Sequence, residues 1–202
     1  MELVIGLDLG TQGVRCLAVD VRGKVIARAS APLQPTESHL PAGWHQQDAV
    51  DWWQAVCRCL QQLNQALPQT AIIAALSVTS TSGTILAVDQ SGSPLYPAIM
   101  YNDERSQPYV KQVRQAASEL EARLGYAFNA TFALSKMVWL AHEQPLVYQK
   151  SCHFLSPTDY IIGCLTGEYG ISDHCNVLKT GYDLLERKWP AFITDELGIS
   201  PS

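Results

Sequence analysis

The sequence has no long apolar run, no cluster of basic residues and no cysteine or histidine spacing typical of a metal site. A membrane-spanning helix needs about 18 uninterrupted apolar residues, and no such stretch is present. The N-terminal segment MELVIGLDLG carries acids where a secretory signal peptide has a basic start. These absences lead us to expect a cytoplasmic protein without a membrane partner.

The charge distribution argues against a nucleic-acid partner. The formal net charge is -5 at pH 7, and the 14 lysines and arginines form no run that would grip a phosphate backbone. The six cysteines are scattered, without CxxC pairs or nearby histidines, so they are interpreted as reduced core residues rather than zinc ligands. A small molecule is the expected partner.

The order of the patterned segments predicts an α/β fold with a mixed sheet. Alternating apolar segments indicate strands at residues 3–8, 14–20 and 24–30, a helical pattern covers 48–66, and apolar strands follow at 72–78 and 85–89. The apolar composition of residues 72–78 predicts a buried strand. A parallel strand in that position needs the preceding crossover helix. Helical patterns then cover 103–124, 133–143 and 157–165.

The opening GLDLGTQGVR is the first candidate for chemistry. It fits neither GxxxxGK[ST] nor GxGxxG, so neither common phosphate-binding motif is present. A strand instead carries Asp8 into a glycine-flanked bend, where backbone amides and the Thr11 hydroxyl can face phosphate and the carboxylate can hold Mg²⁺ through water. The alternative is an ordinary hairpin in which glycine permits positive φ and Asp8 caps the turn.

Polar segments further along the chain are also ambiguous. Residues 101–105, YNDER, combine an aromatic face with hydrogen-bonding groups and suit a polyhydroxylated ligand, but they also fit a capped helix start with a surface ion pair. Residues 79–84, TSTSGT, fit either a ligand-contacting loop or a polar turn. Asp173, His174 and Asn176 are possible ligand contacts, and a capped helix start explains them equally well.

Taken together, these segments resemble the FGGY carbohydrate kinases. The resemblance rests on GLDLGTQGVRCLAVD, PAGWHQQDAVDWW, PAIMYNDERS and LTGEYGISDHCN, in the family's order and over nearly all 202 residues. It implies an actin-like ATPase (ribonuclease H-like) fold and the ATP-dependent phosphorylation of a sugar or polyol hydroxyl. Residues 1–202 would form the sugar-binding N-terminal domain, without its last part and without the whole C-terminal domain.

The resemblance also assigns roles to residues. It implies that Asp8 associates with Mg²⁺ through water, that Gly10, Thr11, Gln12 and Gly13 form the phosphate loop of the ATP site, and that Arg15 supports it. On the sugar side it implies contacts from Thr81, Ser82, Gly83, Tyr101, Asn102, Asp103 and Arg105. The run TSTSGTIL looks like the branch acting on ketopentoses, in which a serine contacts substrate, so D-ribulose or D-xylulose is expected.

The general-base aspartate of the family is implied to lie downstream of position 202, with the second phosphate loop and the adenosine site. This chain alone is therefore expected to be inactive or nearly so, because phosphoryl transfer depends on positioning and charge stabilisation. A non-catalytic sugar-binding module or pseudokinase is the alternative, and an actin-like or chaperone-like ATPase explains fewer segments. The resemblance leaves a homodimer possible.

Overall fold

The computed structural model describes residues 1–34 and 39–200. Among them, residues 1–34 and 48–81 form one compact unit, and residues 39–47 and 82–200 form a second. Over these described ranges, no helix is both long enough and apolar enough to cross a lipid bilayer. The two units are called the first unit and the second unit below.

Within the described residues the strands are β1 (Glu2–Leu9), β2 (Gly13–Asp20), β3 (Val25–Pro32), β4 (Gln46–Gln47), β5 (Ile72–Ser80), β6 (Leu86–Val88), β7 (Ala98–Ile99) and β8 (His153–Leu155). The helices are α1 (Ala49–Ala66), α2 (Val110–Ala116), α3 (Ser118–Leu124), α4 (Ala133–Glu143), α5 (Pro145–Lys150), α6 (Pro157–Thr166), α7 (His174–Val177) and α8 (Phe192–Asp195). Short 3₁₀ turns lie at Gln107–Tyr109 and Leu178–Thr180.

The first unit is a four-stranded sheet in the order β3-β2-β1-β5. Strands β1, β2 and β3 are successive antiparallel neighbours, whereas β1 and β5 are parallel. This arrangement confirms the predicted meander and the mixed sheet of an α/β fold. Helix α1 is the crossover, and it begins where the Asp48 side chain accepts a hydrogen bond from the Val50 amide.

One face of the sheet is covered by α1. The helix buries one side, including Trp52, Val56 and Leu63, against β2 and β3. Strand β1 alternates strictly between buried and exposed positions, as a sheet with one covered face requires. The prediction that the strand at 72–78 is buried is wrong: Ile72 and Ile73 are 66% and 43% exposed. β5 is the edge of this sheet, and α1 packs on the strands at the other side of β1.

The second unit is mainly helical, as predicted. Helix α4 is buried on nearly every side from Ala133 to Leu140, which is typical of a central core helix. Helix α6 begins with Pro157 after a capping box at Ser156 and ends at Gly167, which has a left-handed conformation. The unit also contains two small antiparallel pairs, β4 with β7 and β6 with β8.

The helix predicted over residues 103–124 is interrupted in the structure. Helical structure begins only at Gln107, and α2 and α3 are separated at Ala117, whose φ and ψ are -88° and 8°. The first residues of the predicted helix are held in a different conformation because the side chain of Asp103 accepts hydrogen bonds from the His45 and Arg105 amides. Amphipathic spacing alone did not reveal this competing interaction.

Candidate functional site

The first unit places Asp8 at one end of its sheet. Asp8 lies opposite Arg15 in the antiparallel pair and beside Thr79 in the parallel pair. An Arg15 Nη1 to Asp8 Oδ2 distance of 3.2 Å joins the two side chains, which are 66% and 47% exposed. A solvent-facing carboxylate, a guanidinium and the hydroxyl-bearing end of β5 therefore occur together, as the prediction of a phosphate and metal site requires.

The bend after β1 is closed by a backbone hydrogen bond of 3.0 Å from the Gly10 amide to the Gly13 carbonyl, with Thr11 and Gln12 between them. Neither glycine has a positive φ, so the proposed reason for glycine in an ordinary hairpin does not apply. A Cβ on Gly13 would lie 2.7 Å from the Ala31 carbonyl oxygen. Close approach of β3 therefore explains Gly13, and the phosphate-binding role of the bend stays a prediction.

Two segments predicted to contact sugar lie side by side in the second unit. The Tyr101 amide donates to the Thr84 hydroxyl over 3.0 Å, and the backbones of Ile85 and Ile99 exchange hydrogen bonds of 3.0 and 2.9 Å. Ser82, Tyr101 and Asn102 are exposed, whereas Gly83 and Thr84 are buried. Thr81, the last residue of the first unit, is partly buried. Sequence reasoning had no means of joining residues 82–84 to residues 101–102.

Asp103 and Arg105 form a buried ion pair rather than an exposed contact surface. Arg105 Nε and Nη2 lie 2.8 Å from Asp103 Oδ1 and Oδ2, and neither side chain is exposed. The guanidinium carbon is 3.9 Å from the centre of the Trp44 ring and 5.2 Å from that of Trp139. This burial corrects the alternative of a surface ion pair, whereas the sugar contact expected of both residues stays a prediction. The pair positions the segment from within.

Lys136 was not predicted to belong to this site. Its side chain is fully buried in α4, and its Nζ donates to the Gly83 carbonyl oxygen over 2.9 Å. Burial is the main reason why the pKa of Lys136 is lowered to about 7. The negative charge of Asp103 raises this pKa, and the positive charges of Lys179 and Arg105 lower it further. The available signal was a single lysine within the apolar run ALSKMVWLA, but periodicity does not show which backbone group such a lysine meets.

Lys136 makes stability depend on pH in a defined direction. Its pKa is near 7 in the folded chain, against 10.5 for an unperturbed lysine, so the unfolded chain binds more protons between these values and stability rises with pH there. From pH 7 to 9, urea unfolding of the wild type should gain up to about 1.4 kcal/mol per pH unit relative to Lys136→Met. Parallel curves for the two proteins would contradict this expectation.

The segment around residues 173–176 is a capped helix start. The Asp173 carboxylate accepts hydrogen bonds from the Cys175 and Asn176 amides and from the Asn176 side chain. The His174 ring is stacked on Tyr182 with centroids 6.1 Å apart. The capping interpretation is therefore confirmed for Asp173, whose carboxylate oxygens are already engaged.

Comparison with known proteins shows the family and the fold of this chain. Residues 3–202 match the FGGY family of carbohydrate kinases, N-terminal domain. This chain belongs to that family. The actin-like ATPase fold expected from the resemblance is confirmed by solved FGGY kinases, among them the xylulose kinase from Rhodospirillum rubrum, with a TM-score of 0.89 and 27% identity over 98% of this chain and 41% of that one.

FGGY relatives differ in the substrates that their names give. The xylulose kinase of Staphylococcus epidermidis is 32% identical over 204 residues, covering 98% of this chain and 39% of the relative. The autoinducer-2 kinase of Salmonella typhimurium is 30% identical over 203 residues, covering 97% and 38%. The chain therefore spans about two-fifths of the length of the curated relatives that it matches.

The described residues offer few direct ligands to a magnesium ion that is bound to a nucleotide. Over the described ranges no group of three or more histidine, cysteine, aspartate or glutamate side chains could hold a metal ion. Asp8 offers one accessible carboxylate, and Mg²⁺ bound to phosphates commonly keeps several waters and uses one or two carboxylates. The donor set thus fits a metal that arrives with a nucleotide and is held through water.

Proposed function

We propose that this chain is the sugar-binding domain of a kinase that transfers the terminal phosphoryl group of ATP to a ketopentose hydroxyl, D-ribulose or D-xylulose. The observation that supports this proposal is the pairing of residues 82–84 with residues 101–102, which leaves one serine, one tyrosine and one asparagine exposed on adjacent segments. Such a mixture of an aromatic face and hydrogen-bonding groups suits a small polyhydroxylated molecule.

On the nucleotide side, Asp8 would hold the hydrated Mg²⁺, and residues 10–13 would offer backbone amides to the phosphates. When bound, the metal neutralises charge on the phosphate oxygens. Arg15 keeps the Asp8 carboxylate oriented through their 3.2 Å contact. The accessible carboxylate at a strand end supports this role, because a buried and fully paired aspartate would have no free oxygen for water.

The general base would come from sequence outside these 202 residues, within the remaining part of the first domain or the second domain of the family. Positioning and charge stabilisation supply nearly all of the catalysis in phosphoryl transfer, so a chain without that base should bind its ligands without turning them over. Residues 1–202 would then act as one half of the enzyme. Gly83 would set the path of the loop formed by residues 82–84.

The choice of a ketopentose depends on Ser82. We expect saturation-transfer NMR to show D-ribulose or D-xylulose binding to this chain, with glycerol weaker, and Ser82→Ala to weaken ketopentose binding about tenfold, as one lost hydrogen bond would. Ser93→Ala, a change at an exposed serine in another turn of the same unit, is the matched control. Equal affinity for the three molecules, or an unaffected Ser82→Ala variant, would argue against this substrate class.

A further inference from the structure

Strand β5 forms one edge of the sheet in the first unit, and its side chains are open to solvent. Among the residues that the structure describes, β5 pairs only with β1, and none of its nine residues is buried. Ile72 and Ile73 are 66% and 43% exposed, and Ala74 and Ala75 are exposed as well. Every second backbone amide and carbonyl of an edge strand points away from the sheet, where a further strand can pair with it.

The sequence of β5 lacks the features that usually prevent a sheet edge from pairing. Natural edges carry lysine or other charges, contain proline, or are covered by a helix. The strand, IIAALSVTS, has no charged residue and no proline, and helix α1 packs on β2 and β3. A register shift between Leu3 and Val4 affects only the start of the strand, so residues 75–80 pair regularly with β1. This edge is therefore suited to accept another strand.

The opposite edge of the same sheet, β3, is protected. It carries the exposed residues Arg28 and Pro32, and a proline has no amide to donate to a neighbouring strand. Helix α1 packs against β3, and Arg58 Nη2 donates to the Pro32 carbonyl oxygen over 3.2 Å. A further strand can therefore join the sheet at β5 but not at β3, which favours a closed pair of chains over an open filament.

A second copy of β5 is a suitable partner because the strand complements itself. An antiparallel pair with its two-fold axis at Leu76 places Leu76 opposite its own copy, Ala74 opposite Val78, and Ala75 opposite Ser77. No charged side chain meets another in this register. Each chain has a formal net charge of -5, so two copies approach with least repulsion along an uncharged edge.

The size of the contact predicts a weak association. A strand of nine residues is about 30 Å long. Interfaces that bury less than about 1,200 Å² in total are typical of transient complexes, and a single strand pair of this length belongs to that class. The pair should therefore form and dissociate reversibly as the chain concentration changes.

We propose that this chain forms a two-fold symmetric dimer in which β5 pairs antiparallel with β5 of a second copy, in the register centred on Leu76. The two four-stranded sheets then form one continuous sheet, with a protected β3 at each end. The inference is independent of the proposed function, because neither ketopentose nor nucleotide takes part in it.

Analytical ultracentrifugation and hydrogen–deuterium exchange of the unmodified chain test this contact without any ligand. Sedimentation between about 5 and 500 µM chain should show a reversible shift from monomer to dimer, as a weak interface requires. Over the same range, backbone amides of residues 72–80 should exchange at least about tenfold more slowly in the dimer, whereas those of residues 25–32 should not change.

Charge substitutions at the exposed residues Ala75 and Ser77 test the register. In the proposed dimer these residues lie opposite each other twice, so Ala75→Lys/Ser77→Lys places like charges together and should abolish dimer formation over this range. Ala75→Lys/Ser77→Glu places opposite charges together and should restore the dimer. Val21→Lys/Ser30→Lys adds the same two charges at exposed residues outside β5 and should leave the dimer unchanged.

Three results would overturn the proposal. A chain that stays monomeric at every concentration would mean that a different partner covers β5. A dimer without slower exchange at residues 72–80 would place the contact elsewhere. Failure of Ala75→Lys/Ser77→Glu to dimerise, when Ala75→Lys/Ser77→Lys is folded and monomeric, would exclude the antiparallel register. The exchange measurement on the unmodified chain decides the matter if the substituted chains do not fold.

Discussion

Arg105→Met should destabilise the chain by about 3–5 kcal/mol, because it leaves the Asp103 carboxylate buried without its cation. The loss includes two charge-assisted hydrogen bonds of 2.8 Å and the stacking of the guanidinium on Trp44. Methionine keeps most of the side-chain volume, so the expected effect is chiefly electrostatic. A loss of this size is a large share of the total stability of an ordinary domain.

The first unit provides a matched control for this prediction. Arg15→Met breaks an Asp–Arg pair of the same residue types, but that pair is largely exposed and should be worth at most about 1 kcal/mol. Urea unfolding monitored by tryptophan fluorescence compares the two variants directly. Adding Asp103→Asn to Arg105→Met should recover part of the loss, because the orphaned negative charge is then removed. Similar losses at Arg15 and Arg105 would contradict the assignment of a buried structural pair.

Gly83→Ala should cost about 2–5 kcal/mol and displace the loop that carries Ser82. Gly83 has a φ of +83°, and a Cβ there would lie 2.4 Å from the Thr131 carbonyl oxygen and 3.0 Å from Lys179 Cδ. The backbone oxygen cannot move aside as a flexible side chain can. The displaced loop would also lose the Lys136 hydrogen bond to the Gly83 carbonyl, so ketopentose binding should fall with stability.

Gly125→Ala separates the conformational cost from the steric one. Gly125 has a similar φ of +73° at the end of α3, but a Cβ there would have no neighbouring atom within 4 Å. Its replacement should therefore cost only about 1 kcal/mol, the price of the left-handed backbone. Thermal unfolding of both variants measures the difference. If Gly83→Ala proves no more damaging than Gly125→Ala, the close packing around Gly83 is not what fixes the path of residues 82–84.

The fold could be predicted well where local patterns decide the structure. The meander follows from strict alternation in β1 and from turn residues between the strands, and α1 follows from Asp48 and an apolar stripe. The wrong predictions concern segments whose structure depends on contacts with residues far away in the sequence. β5 looks buried because it is apolar, yet strand order leaves it at a sheet edge, and the helix expected from residue 103 is delayed by the Asp103 interactions with His45 and Arg105.

The candidate site likewise contains some residues that could be located from the sequence and others that could not. Asp8 and the bend at residues 10–13 could be located from sequence because a strand end and its turn are contiguous. The buried state of Asp103 and Arg105 could not, because it depends on Trp44 and Trp139, which approach from distant parts of the chain. Lys136 was overlooked for the same reason: its partner is the carbonyl of Gly83, 53 positions away.

The sequence by itself determined the family and the α/β class, because both follow from the order of the patterned segments and from side-chain chemistry. Only the tertiary structure decided which polar groups face solvent and which are sealed in the core. Burial and pairing depend on contacts between residues far apart in sequence. Sequence periodicity shows only which side of its own helix or strand a side chain occupies.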